Sequence, residues 1–185
     1  MTFTCFFGYG SLVNRRTHGY TGARRAAARG WRRAWRYTAD REVAFLTVIP
    51  DPACTIDGLV ASVPADAWPT LDLREHAYER LDARDSVTDA GDGHPAIYAI
   101  AADRLNTPDD HHPVLLSYLD VVVQGYLTEY GRDGAARFFA TTTGWEAPIL
   151  DDRAAPRYPR AQDLSEGERA FVDRYLQTLN CRIIA

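Results

Sequence analysis

The chain predicts an α+β fold, on three observations. Strand-like runs fill its first hundred residues. Helical periodicities follow them, an order that segregates strands from helices. No internal repeat, low-complexity tract or linker interrupts the 185 residues. A single domain over 1–185 is therefore expected, with 145–185 as a helical C-terminal extension of it.

Taken in order, Phe3, Cys5 and Phe7 alternate with Thr2, Thr4 and Phe6, which predicts a first strand ending at Gly8. Val43–Ile49 and Gly58–Val63 read as two more strands, divided by the turn-rich Pro50-Asp-Pro52 and Asp57-Gly58. Ala65–His76 reads as a short helix with Pro69 in its first turn and Trp68, Leu71 and Leu73 as its apolar positions. The stretch from Tyr78 to Val87 has no clear period. Asp89–Gly93 is a turn and Ala96–Ile100 a strand. Leu115, Leu119, Val122, Val123, Tyr126, Leu127 and Tyr130 recur at helical spacing and predict an amphipathic helix over His112–Tyr130. A second short helix is expected at Ala135–Ala140, then an extended, proline-rich Asp151–Arg160. Ser165-Glu-Gly-Glu168 is a capping box, so a last helix should run to Leu179.

Composition narrows the chemistry. All 21 basic residues are arginine, so no side-chain amine exists for a Schiff base, a P-loop or a Ser-Lys hydrolase. Cys5, Cys54 and Cys181 are widely separated and odd in number, which argues against a disulfide scaffold or a zinc-cysteine site. The N-terminal MTFTCFFGYGSLVNRR has no basic segment before its short apolar run, and no stretch approaches the length of a membrane span. A cytoplasmic protein without a membrane partner is expected.

Nine arginines between positions 15 and 41 face only Asp40 and Glu42, giving the first 50 residues +7 and leaving −11 for the rest of a chain at −4. Arg29-Gly-Trp-Arg-Arg-Ala-Trp-Arg36 interleaves arginine with Trp31 and Trp35. Such a pattern fits a nucleic-acid surface, with cations for phosphates and indoles for stacking. It also fits strands with arginines toward solvent and tryptophan and alanine packed inward. The acidic remainder argues against a dedicated nucleic-acid binder.

The most informative stretch is Gly8-Tyr9-Gly10-Ser11-Leu12-Val13. Glycines just past a buried strand let successive N–H groups converge on an anion or a carbonyl oxygen. The pattern is neither a dinucleotide fingerprint nor a nucleophile elbow. It resembles the signature of the gamma-glutamylcyclotransferase superfamily, in particular its ChaC-like branch. A second signature of that family, a glutamate in a Leu-Asp-x-Arg-Glu context followed by a tyrosine, is matched by Leu71-Asp72-Leu73-Arg74-Glu75-His76-Ala77-Tyr78. Ser117-Tyr118-Leu119-Asp120 through Gln124-Gly125-Tyr126-Leu127 is similar to a helix of bacterial relatives. The resemblance covers residues 3 to 130. One departure is evident: ChaC-like glutamates are often followed by Lys-Gly-Gly-Tyr, and this chain has the shorter His-Ala-Tyr.

The resemblance implies a small mixed β-barrel with flanking helices, and an enzyme that needs no cofactor or metal. It implies release of 5-oxoproline from a small gamma-glutamyl substrate, whose own α-amine attacks its γ-carbonyl. It implies Glu75 as general acid/base, with Gly8, Tyr9, Gly10, Ser11, Leu12, Val13 and Tyr78 binding substrate. Arg74 is expected to point away from Glu75, since neighbours on a helix do not share a face. Glu79 is the rival carboxylate. The alternatives are a non-catalytic relative that binds a small ligand in the same pocket, and, for Glu75, a helix-end carboxylate paired with an arginine. Monomer and homodimer are both open. Arg157 and Arg160 either cover the site and hold an acidic substrate or belong to a surface tail.

Overall fold

The structure is a computed structural model, describing residues 2–185. Ten strands are present among the described residues: β1 Cys5–Gly8, β2 Arg24–Arg36, β3 Phe45–Ser62, β4 Glu79–Asp82, β5 Val87–Thr88, β6 Pro95–Ala99, β7 Val114–Leu115, β8 Thr142–Thr143, β9 Ile149–Leu150 and β10 Ile183–Ile184. Three α-helices accompany them: α1 Trp68–Arg74, α2 Leu116–Ala140 and α3 Glu166–Thr178. A curled half-barrel sheet has the order β4-β6-β1-β3-β2-β5, with β8 joining β2, and β10-β9-β7 form a second small sheet. The pairing is mixed, because β1 lies antiparallel to β3 and parallel to β6. The predicted α+β class holds.

Strand β1 is buried on both faces. Phe7 faces the main core with Leu59, Ile97, Tyr126 and residues of α3, while Phe6 faces a smaller cluster with Leu12, Trp68, Leu71 and Tyr98. Helix α1 thus covers one face of the sheet, and α2 with α3 cover the other.

Four sequence expectations need correction. The two strands predicted on either side of Pro50-Asp-Pro52 are one strand, β3. Pro50 is exposed and sits opposite a register shift between Arg29 and Trp31, and a bulge is a place where a strand tolerates proline. Gly30, at φ 78°, supplies the backbone turn that the bulge requires. The predicted helix over His112–Tyr130 starts later, because Val114–Leu115 pairs as β7, and it runs on through the predicted Ala135–Ala140 helix with a single non-helical residue, Gly131 (φ 68°, ψ −170°). Leu73 is 75% exposed and not a core position, since α1 is only seven residues long.

The fourth concerns Arg33. It shares the inward face with Trp35 and is fully buried, with no carboxylate partner among the described residues. Its guanidinium donates to Tyr9 O (3.1 Å), Thr141 Oγ1 (2.7 Å), Tyr126 Oη (2.5 Å) and Asp57 O, and it lies over the rings of Tyr126 and Phe138. A charge out of water must have its donors filled, and here carbonyls, hydroxyls and ring faces fill them.

Candidate active site

The Gly8–Val13 segment leaves the buried end of β1 and tightens into a single 3-10 turn, Ser11–Val13. Asn14 fastens it to helix α2, its Nδ2 donating to Val121 O and to Gln124 Oε1, both at 3.0 Å. That approach needs Gly125: a Cβ there would stand 2.7 Å from the Asn14 nitrogen. At Gly10 a Cβ would meet the Tyr118 hydroxyl at 2.8 Å. The loop is therefore held between sheet and helix, with the Tyr118 hydroxyl against its backbone.

Glu75 ends helix α1. Its N–H still donates to Leu71 O (2.9 Å), but its φ −99° and ψ 27° leave the helical region. Tyr78 N–H then donates to Glu75 O (2.8 Å), which closes the shortened loop and turns both side chains toward the same space. Because the helix stops here, the rule that neighbours do not share a face no longer applies. Arg74 points to Glu75, with Nε 3.0 Å from Oε1, contrary to expectation. Arg74 also donates to Thr17 O (2.9 Å) and reaches Ser11 Oγ and Thr17 Oγ1 (both 3.3 Å), so it bridges the glycine loop and the carboxylate.

A cavity of about 30 Å³ lies under the loop, lined by Gly8, Tyr9, Gly10, Ser11, Leu12, Glu75, Tyr78, Tyr98 and Tyr118. It shares Ser11, Leu46, Glu75, Tyr78 and Tyr118 with a cleft of about 420 Å³, which Arg41, Phe45, His76, Arg157, Tyr158 and Arg160 extend outward. Burial pushes the Glu75 carboxyl above its ordinary value of 4.5, against the opposing pull of the Arg74 and Arg160 charges. Burial likewise drives the Tyr78 and Tyr118 hydroxyls well above 10, so both stay neutral donors. Tyr78 Oη donates to Leu46 O (3.0 Å), and Tyr9 Oη donates to Tyr98 O (2.6 Å), which commits the Tyr9 hydroxyl to the frame.

Of the residues singled out in the sequence, Glu75, Gly8, Tyr9, Gly10, Ser11, Leu12 and Tyr78 meet at this one cavity. Val13 does not: it is buried, and its N–H donates to Gly10 O (3.0 Å). Glu79 is exposed on β4 and lines neither space. Sequence reasoning passed over Tyr98 and Tyr118 as site residues. Tyr118 lies off the apolar stripe of α2, and only its place in the Ser117–Asp120 stretch marked it. Arg157 and Arg160 line the cleft, as one of the two readings of their segment had it. Among the described residues no group of three or more His, Cys, Asp or Glu could hold a metal ion, and no helix is long and apolar enough to cross a membrane.

Sheet, flanking helices and the cavity at the end of β1 together define a gamma-glutamyl-cyclotransferase-like fold. A solved structure of a gamma-glutamyl cyclotransferase superposes with a TM-score of 0.58 at 14% identity, over 94% of this chain and 99% of that one. An uncharacterized protein from Homo sapiens gives 0.58 at 13% identity, over 92% and 98% of the two chains. YkqA from Bacillus subtilis gives 0.56 at 16%, over 74% of this chain and 53% of that one. The first two likenesses extend past residues 3–130, the stretch that carries the sequence resemblance. No protein-family model and no curated protein matches the chain.

Proposed function

We propose that the protein is a gamma-glutamylcyclotransferase that releases 5-oxoproline from a gamma-glutamyl compound, with Glu75 as its general acid/base. One observation carries the reading: a carboxylate with a raised pKa stands at the junction of a small cavity and an open cleft, facing a glycine-rich loop.

The reaction needs little from the protein. The substrate's α-nitrogen attacks its own γ-carbonyl carbon, one C–N bond closes the five-membered ring, and the C–N bond to the leaving amine breaks. The inner end of the cleft, where it meets the small cavity beneath the loop, would hold the glutamyl half bent, so that the attack is intramolecular and oriented. Glu75 takes the proton that the attacking nitrogen must lose and returns it to the leaving amine, so its pKa has to lie nearer neutrality than that of a solvated glutamate. Backbone N–H groups of the Gly8–Leu12 loop and the neutral hydroxyl of Tyr118 are the donors available to the glutamyl carboxylate and the developing oxyanion, while Tyr78, whose hydroxyl donates to Leu46 O, lines the site.

The test is 5-oxoproline release from a panel of gamma-glutamyl compounds by wild type and Glu75→Gln. Release by wild type alone is the expected result. Release by both would move the base to another group. Release by neither would favour a binding protein of the same fold.

A further inference from the structure

The cleft outside Glu75 is lopsided in charge. Its wall contains Arg41, Arg74, Arg157 and Arg160, and Glu75 is its single carboxylate. Arg74 is matched to Glu75 at 3.0 Å. The other three are not matched within the cleft. Arg41 donates to His76 Nε2, whose ring opposes Leu73 O with Nδ1, and it lies over the Phe45 ring. Arg157 has only the 92%-exposed Glu42, at 3.8 Å, outside the cleft wall. Arg160 is half-buried and pairs with no carboxylate among the described residues. A chain of net charge −4 thus gathers four arginines and one carboxylate around one cleft.

Nor is their placement that of a loose tail. The segment that carries Arg157 and Arg160 is pinned at its root. The buried Asp152 accepts from Ser117 N (2.8 Å), Ser117 Oγ (2.6 Å) and Arg157 N (2.9 Å), and Tyr158 N–H donates to Ser117 Oγ (3.3 Å). The Tyr158 ring then meets Tyr118 edge-on at 5.0 Å. Backbone anchors and an aromatic contact hold the segment that brings both arginines to the cleft, and among the described residues neither guanidinium makes a side-chain hydrogen bond. Arginine forks suit carboxylates in particular.

Resting on the proposed reaction, we infer that the leaving half of the substrate carries more than one acidic group. In that arrangement a gamma-glutamyl conjugate of an acidic amino acid fits better than a gamma-glutamylglycine type compound, and a gamma-glutamylamine fits least. The glutamyl end sits at the inner end of the cleft beside Glu75 and the glycine-rich loop, so the outer arginines are left for what is expelled. A neutral or cationic amine there would leave four arginines around the cleft with Glu75 as the one carboxylate on its wall.

The test compares kcat/KM for gamma-glutamyl-glutamate, gamma-glutamylglycine and a gamma-glutamyl-alkylamine in wild type and in the double variant Arg157→Gln/Arg160→Gln. The expected wild-type order is the one given, with about tenfold between the dicarboxylate and the amine compound, the size of one charge-assisted hydrogen bond. In the double variant that ratio should fall toward one, with the change in KM and an unaltered melting temperature. An equal or better amine substrate in wild type would overturn the inference, as would a ratio that survives the double substitution. Calorimetric binding of the same three compounds to Glu75→Gln, with and without the two arginine changes, decides the point even if no compound is turned over. Absence of 5-oxoproline then counts against the reaction, and the binding order alone counts for or against the acidic leaving half.

Discussion

Glu75, partly buried, and Asp120, buried, are both carboxylates in the company of an arginine, and the contrast between them shows what separates a site from a strut. Their side chains are 16% and 7% exposed, and burial pushes both carboxyls above their ordinary values. Asp120, on α2, is gripped by Arg153 through two parallel bonds of 2.7 and 2.8 Å, and a third nitrogen of Arg153 goes on to Asp173 at 2.7 Å. Glu75 has a single arginine nitrogen at 3.0 Å and otherwise faces the cleft of about 420 Å³. Asp120 borders only a small hollow of about 60 Å³ beneath the 153–164 loop. Burial and a raised pKa are therefore common to both. Unused acceptor capacity next to space for a ligand belongs to Glu75 alone.

The largest expected effect falls on turnover. Glu75→Gln should lower 5-oxoproline release by about 10²–10⁴-fold, the usual contribution of a positioned general base. Circular dichroism and melting should show the variant folded. If Glu75→Gln kept wild-type turnover, the contrast with Asp120 would lose its meaning.

At the other carboxylate the effect should be on stability. Arg153→Met removes the fork from Asp120 and strands a buried charge, which should cost about 3 kcal/mol in denaturant unfolding. Release of 5-oxoproline per folded molecule should remain that of wild type, since Asp152 anchors the neighbouring loop independently. A loss of turnover without a loss of stability would show that Asp120 belongs to the site after all.

A smaller effect is expected at Tyr118→Phe. Its hydroxyl stands against Gly10 at the cavity, and removing one neutral donor should reduce turnover by about fivefold, equivalent to about 1 kcal/mol. The same change at Tyr175, which stacks on Phe139 well away from the cavity, is the control.

These contrasts also show which signals a sequence can carry. The Gly8–Leu12 loop, Glu75 and Tyr78 stand out in the sequence because two short motifs resemble a family's signatures, and the structure brings those motifs together at one cavity. The last helix was legible too, since Ser165 and Glu168 form their capping box as the sequence predicts. What stayed hidden depends on partners far along the chain. Arg33 looks like a solvent-facing strand cation until Tyr9, Asp57, Tyr126 and Thr141 surround it. Pro50 looks like a strand breaker until the bulge at Gly30 lies opposite. Arg160 and Tyr158 reach the cleft only because Ser117, on another element, holds their loop. Arg74 was misplaced for a subtler reason. The face rule holds within a helix, and α1 ends at that very residue.

The finest contrast is in the pH dependence of stability. A glutamate whose folded pKa exceeds its ordinary value favours the fold while protonated and opposes it once ionised. For Glu75 that ordinary value is 4.5. Its favourable contribution is thus complete below 4.5 and is lost as pH rises through the higher folded value. Glu75→Gln never ionises. The variant should therefore melt above wild type at neutral pH, and the two melting curves should converge as pH falls below 4.5. The ionised form that costs stability is also the base, so the acidic limb of kcat/KM should follow the same group. Arg74 pulls this pKa down, and Arg74→Met should move that limb to higher pH. A variant less stable than wild type at neutral pH would mean that Arg74 outweighs burial at Glu75. Glu75 would then be a paired helix-end carboxylate, closer in kind to Asp120 than to a base.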